Sequence, residues 1–172
     1  MGRAEAKERT REALLEAALV RFSEDGIEGA SLDAICAQAG RTRGAFYVHF
    51  SDREDLVRAV VERTLQEYLG ALARVIDSGD VHAIVGAFAE LLRRAPDAES
   101  TFLRVGTAHF HLLLGAGARY PRAREQLHAS LSQGTQLLAT TQQDQGLADT
   151  LVAVLIGLLA FEPHDGDRLD RI

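Results

Sequence analysis

Between Asp33 and Asp52 the only fully charged side chains are Arg41 and Arg43, giving a local charge of +2 in a chain whose formal net charge is −6. The groups beside them suit nucleic acid. Arg43 has the fork geometry for O6 and N7 of a guanine, a pairing worth about 1–3 kcal/mol of base discrimination when bidentate. Tyr47 and His49 can donate to phosphate oxygens. Gly44 and Ala45 carry little or no side chain, so a backbone here can approach a duplex closely. A helix starting after Thr42 would also offer N–H groups to phosphate. Arg41 is either a further phosphate contact or a solvated turn residue.

Two short helices around a glycine turn must hold these groups. Ser31 is a suitable N-cap, and Asp33 falls in the first turn, where the helix dipole favours a negative charge. Leu32, Ile35, Cys36 and Ala39 form an apolar face at helical spacing. Gly40 follows the last turn, where a positive φ is often required. Thr42 can cap a second helix running to Phe50, with Phe46 and Phe50 four apart on its buried side. That spacing is a helix-turn-helix, whose second helix enters the major groove. A helical hairpin inside an ordinary all-α domain has the same spacing.

From about Arg11 to Val61 the sequence resembles the TetR-type transcriptional regulators. The resemblance rests on Leu14, Ala17, Ala18, Phe22 and Gly26, then Gly29 and Ser31, then Ile35, Ala37 and Ala39-Gly40. It continues through Gly44-x-Phe46-Tyr47-x-His49-Phe50 and Arg53-x-x-Leu56. It implies that Ser31, Thr42, Arg43, Gly44, Ala45, Tyr47, His49 and Arg53 occupy positions that contact DNA. Three departures stand out. One hydroxyl is missing at Leu32, Arg41 replaces a small apolar residue, and Arg53 replaces the usual lysine.

Composition bounds the rest. At 172 residues and 47% hydrophobic content, the chain has ample material for a core. Helix formers dominate, and no stretch alternates like a strand, so the chain reads as all-α. The single cysteine, Cys36, excludes an intrachain disulfide and a CxxC zinc site. On the buried face of its helix it reads as a small core residue. The N-terminus lacks a signal peptide's apolar core, and the apolar stretch 151–161 is too short to span a bilayer. A cytoplasmic protein with no membrane partner is expected. The acidic net charge argues against a generic nucleic-acid coat and for a localised basic reading face.

In order, residues 1 to 9 read as a frayed arm, with Arg3 and Lys7 as the alternative DNA contacts, and a first helix is expected from about Ala6 to Glu24. Ser51-x-x-Glu54 reads as a capping box opening a long helix to Ile76. A helix follows over Val81–Arg94, then a nearly uncharged one from Phe102 to about Ala118. Phe88, Phe102, Thr107, His109, Phe110 and Leu113 are the candidate lining of an effector pocket, each with core packing as its alternative. His109 and His111 are about 200° apart on a helix and cannot chelate one ion, so neither metal nor cofactor is expected. Helices at about 122–140 and 147–161 are the resemblance's candidates for a dimer bundle. The tail from Pro163 is short and polar where family members usually continue helical.

The expected architecture is an N-terminal three-helix helix-turn-helix domain (1–52) and a C-terminal helical ligand-binding and dimerisation domain (53–172). The expected function is a ligand-responsive repressor, not an enzyme. As a homodimer it would bind a palindromic double-stranded operator and be released by a largely apolar small molecule. The sequence carries no nucleophile elbow, P-loop or dinucleotide loop. The alternative is a helical dimer serving as a protein-interaction module without sequence-specific DNA binding.

Overall fold

The computed structural model describes residues 2–73, 86, 90, 99–102, 104 and 110–142. The chain is all-α. In the described residues α1 spans Arg3–Gly29, α2 Leu32–Gln38, α3 Arg43–Tyr47, α4 Arg53–Ala73, α5 Phe110–Arg119 and α6 Pro121–Gln142.

Helix α1 begins earlier than its polar composition suggested. Residues from Arg3 onward are helical rather than a frayed arm, because Glu5 Oε2 accepts the Gly2 N–H at 3.0 Å and Thr10 Oγ1 donates to the Ala6 carbonyl at 3.0 Å. The acid in the first turn also suits the dipole. The helix kinks at Gly26, whose φ of 75° is left-handed and strains any residue with a Cβ. Helical structure resumes to Gly29, past the expected end at Glu24.

Leu14, Leu15, Ala18 and Phe22 of α1 face inward against Ile35 of α2, Phe46 of α3 and Leu56, Val57 and Val60 of α4, all 2% exposed or less. These belong to one continuous core that extends to Ala116, Ala123 and Leu127 of α5 and α6. Helix α4 packs chiefly against α6, and α5 against α6. A Cβ on Gly134 would lie 3.0 Å from Leu69 Cδ2, so the small residue lets α6 sit close against α4. Thr64, fully buried, returns its hydroxyl to the Val60 carbonyl at 2.9 Å.

Of the six pocket candidates, Phe88, Thr107 and His109 lie outside the described residues, as do the side chains of Phe110 and Leu113 on α5. Phe102 packs in the core at 1% exposure, with the Arg63 guanidinium 4.7 Å from its ring centroid. Glu12 and Glu67 hold Arg63 in that place. Of the expected helix at 81–94 only residues 86 and 90 are described, both helical, and the expected helix at 147–161 and the tail from Pro163 lie outside the described residues.

Candidate nucleic-acid interface

Local chemistry alone sets the turn that presents α3. Ser31 Oγ caps α2 by accepting the Ala34 N–H at 3.1 Å. At the other end Gly40 takes φ 63°, its N–H reaches the Ala37 carbonyl at 3.0 Å, and the Arg41 N–H reaches the Cys36 carbonyl at 2.8 Å. That pair of bonds is the Schellman stop that glycine makes possible. Two residues on, Thr42 Oγ1 accepts the Ala45 N–H at 3.1 Å and opens α3. Burial pushes the Cys36 thiol pKa up, with Asp33 adding to the effect, as befits a core residue.

Helix α3 is only 5 residues long, shorter than the expected run to Phe50. So short a helix has no stability of its own. Phe46 and Phe50 hold it to the core, their ring centroids 5.4 Å apart. With that side locked, the opposite side is exposed: Tyr47 at 58% and Val48 at 65%, beside exposed Arg41, Thr42, Arg43 and Gly44. The Tyr47 ring stands edge-on to Phe46, their centroids 5.2 Å apart.

Residues 14–60 match the family described as bacterial regulatory proteins, tetR family. A solved protein from Streptomyces coelicolor A3(2) superposes with a TM-score of 0.71 at 27% identity, covering 91% of each chain. Residues 14–60 thus form a TetR-family helix-turn-helix head, and the overall fold is TetR-like. The multidrug binding protein EbrR, solved with imidazole, superposes with a TM-score of 0.68 at 25% identity, covering 91% of this chain and 88% of that one. The nicotine-responsive transcriptional repressor HdnoR of Paenarthrobacter nicotinovorans is 36% identical over 75 residues, 43% of this chain and 39% of that relative. The match thus spans about two-fifths of that curated relative's length. The TetR family is one of regulators, not enzymes.

Within this TetR-family head, the expected contact residues divide by what already holds them. Ser31 and Thr42 spend their hydroxyl oxygens on caps but keep an O–H to donate. Arg41 is exposed, donating to the adjacent Gly40 carbonyl at 3.0 Å. Arg43 forms a two-bond ion pair with Asp33. Arg53 is partly buried: its Nη2 donates to the Ile27 carbonyl, and its guanidinium lies 5.8 Å from the Phe22 ring centroid. It therefore struts α4 against the end of α1, a role that a search for charges facing DNA does not find.

The start of α4 also differs from the expected Ser51–Glu54 box. Asp52 Oδ1 accepts the Asp55 N–H at 2.8 Å, and Asp55 Oδ2 accepts the Ser51 N–H at 3.1 Å. Glu54 is drawn away by α6, where it accepts the Arg122 N–H at 2.8 Å and lies 3.2 Å from its Nε. Arg122 Nη2 reaches Asp52 at 2.7 Å and, with the Asp55 amide, holds that carboxyl below its ordinary pKa. On the same corner, Tyr120 donates to Glu28 at 2.5 Å and Arg119 Nε lies 2.9 Å from it. The α5–α6 corner thus grips both ends of the reading head, the close of α1 and the opening of α4.

The positive charge around α3 comes partly from α1. Lys7 and Arg11 act on His49, and Arg11 lies 5.7 Å from the Phe50 ring centroid. Val48 and Arg11 were not among the expected contacts. Val48 offers only an apolar surface, suited to a thymine methyl. Arg11 is visible only once α1 is laid beside α3.

Burial, then Lys7 and Arg11, hold His49 below its ordinary pKa of 6.5, so it is mainly neutral at pH 7. Protonation therefore opposes folding, and stability falls as pH drops below that ordinary value. A phosphate against the ring acts in the opposite sense and raises its pKa, so the complex takes up a proton. DNA affinity is expected to rise as pH falls from about 7.5 to about 6, with a shallower rise for His49→Gln. Equal slopes for the two proteins in binding titrations would remove His49 from the phosphate contacts.

Proposed function

We propose that the chain is a ligand-responsive transcriptional repressor that binds a palindromic operator as a homodimer. The supporting observation is the exposed face of α3, with Arg43, Gly44, Tyr47 and Val48 outward while Phe46 and Phe50 fix its other side. Arg43 reads a base. Tyr47, His49, Thr42 and Ser31 donate to phosphates, joined by Arg41, and Gly44 and Ala45 let the backbone close in. Remaining N–H groups of Arg53 supply the last backbone contact. Two copies joined through the C-terminal helices place their α3 helices about one DNA turn apart, roughly 34–36 Å. Such a protein works in the cytoplasm, where the chromosome is reached.

Residues 1–52 form the reading head and 53–172 the effector and dimer body, with α4 common to both. HdnoR responds to nicotine and EbrR was solved with imidazole, which supports a small-molecule effector here. The effector acts by preferring a body conformation that sets the two heads at the wrong spacing. The α5–α6 corner carries that change, because Arg119, Tyr120 and Arg122 hold the head at Glu28, Asp52 and Glu54.

Selection of the purified chain on a pool of random duplexes tests this reading. The expected product is one inverted repeat with half-sites about 10 base pairs apart, retained at salt that releases bulk DNA. Enrichment of no sequence would favour the interaction-module alternative.

A further inference from the structure

Resting on the DNA-binding reading above, we propose that Asp33 is a specificity-determining residue, fixing Arg43 to read one guanine in each half-site. The ion pair is side-on: Arg43 Nε lies 2.5 Å from Asp33 Oδ1 and Nη2 lies 2.9 Å from Oδ2. A guanidinium carries five N–H donors in a planar fork. The side-on pairing uses one from Nε and one from Nη2. It leaves the two on Nη1 and the second on Nη2, and one from each of these nitrogens forms the end-on edge. That edge matches O6 and N7 of guanine.

The two partners come from different helices, ten residues apart in the chain. Asp33 is fixed in place because α2 is capped by Ser31 and buried through Ile35 and Cys36. Arg43 opens α3 immediately after the Thr42 cap. The carboxylate thus immobilises a long, flexible side chain before any base is met. Pre-ordering of this kind favours the one base whose acceptors fit the fork, and penalises bases that would need the arginine to swing elsewhere.

Asp33 also acts against bulk DNA. Its side chain is 72% exposed beside an Arg43 that is 57% exposed, so it meets the same duplex. A carboxylate there repels phosphate and cancels the Arg43 charge. Without a guanine to engage the end-on edge, the pair contributes little attraction. Asp33 therefore lowers non-specific affinity while sharpening base choice. A mere first-turn acid would complement the α2 dipole without touching Arg43; the two-bond contact is what separates the roles.

The test uses the full chain and the random duplex pool, followed by competition binding on the enriched duplex with each half-site base varied. Wild type, Asp33→Ala, Asp33→Asn, Arg43→Ala and the Asp33→Ala/Arg43→Ala double variant are compared, with thermal unfolding to verify folding. Wild type is expected to prefer guanine at one position by roughly 10- to 100-fold, in line with one bidentate pair. Asp33→Ala is expected to cut that preference to about 3-fold or less and to bind unselected DNA more tightly. Asp33→Asn, nearly isosteric, is expected to fall between the two. The double variant should match Arg43→Ala at that base. Undiminished guanine preference in Asp33→Ala and Asp33→Asn, with loss in Arg43→Ala, overturns the proposal and leaves base reading by Arg43 intact. If Arg43→Ala itself keeps the full preference, base reading by Arg43 fails and the proposal with it.

Discussion

Phe46→Ala is expected to destabilise the protein by about 3–5 kcal/mol, the range for emptying a buried phenylalanine site. Phe46 is 0% exposed and packs against both Tyr47 and Phe50. Typical domains hold only about 5–15 kcal/mol in total, so this is a large share. The effect on DNA binding should be larger still. A 5-residue helix cannot persist on propensity, and Phe46 is the only buried residue within it. Urea unfolding measures the first effect, and duplex titration at a temperature where the variant stays folded measures the second. Tyr47→Phe is the control: at an exposed site it should change stability by no more than about 0.5 kcal/mol, while weakening DNA binding through its lost hydroxyl. If Phe46→Ala leaves DNA affinity untouched, α3 is not what presents the contacts.

The second large effect is at Arg53. Its guanidinium donates to the Ile27 carbonyl and rests on the Phe22 ring. Arg53→Ala removes a charged hydrogen bond worth about 1.5–3 kcal/mol and a cation–π contact worth about 0.5–1 kcal/mol. The loss should appear in thermal unfolding without DNA. Arg53→Lys should restore part of it, since an ammonium keeps the charge but not the fork. A phosphate contact alone would instead leave stability unchanged and flatten the salt dependence of DNA binding by about one unit per half-site. The two assays together separate a strut from a contact.

How much of this was legible beforehand follows from the range of each interaction. The caps at Ser31 and Thr42 and the stop at Gly40 are readable, because each is settled within five residues of backbone. Phe46 and Phe50 were readable because helical periodicity puts them on one side. The start of α4 was misjudged by one residue, since Glu54 answers to Arg122, 68 residues away, rather than to its own helix end. The Asp33–Arg43 pair was not readable either. Both residues were placed correctly on their helices, but their meeting depends on the angle between α2 and α3. Lys7 is already an alternative contact in the sequence, whereas Arg11 joins the reading face only through the approach of α1 to Phe50. The hold of Arg53 on a carbonyl 26 residues earlier is likewise not readable, because charge at a helix start looks the same whether or not it also struts the fold.

Hydrogen exchange of the full chain, with and without the enriched duplex, tests the central claim most directly. The expected result is protection on binding across 41–49 and in α1 around Lys7 to Arg11, with the α5–α6 corner unchanged. Protection confined to the 53–172 body, with 41–49 exchanging as in the free protein, would contradict it.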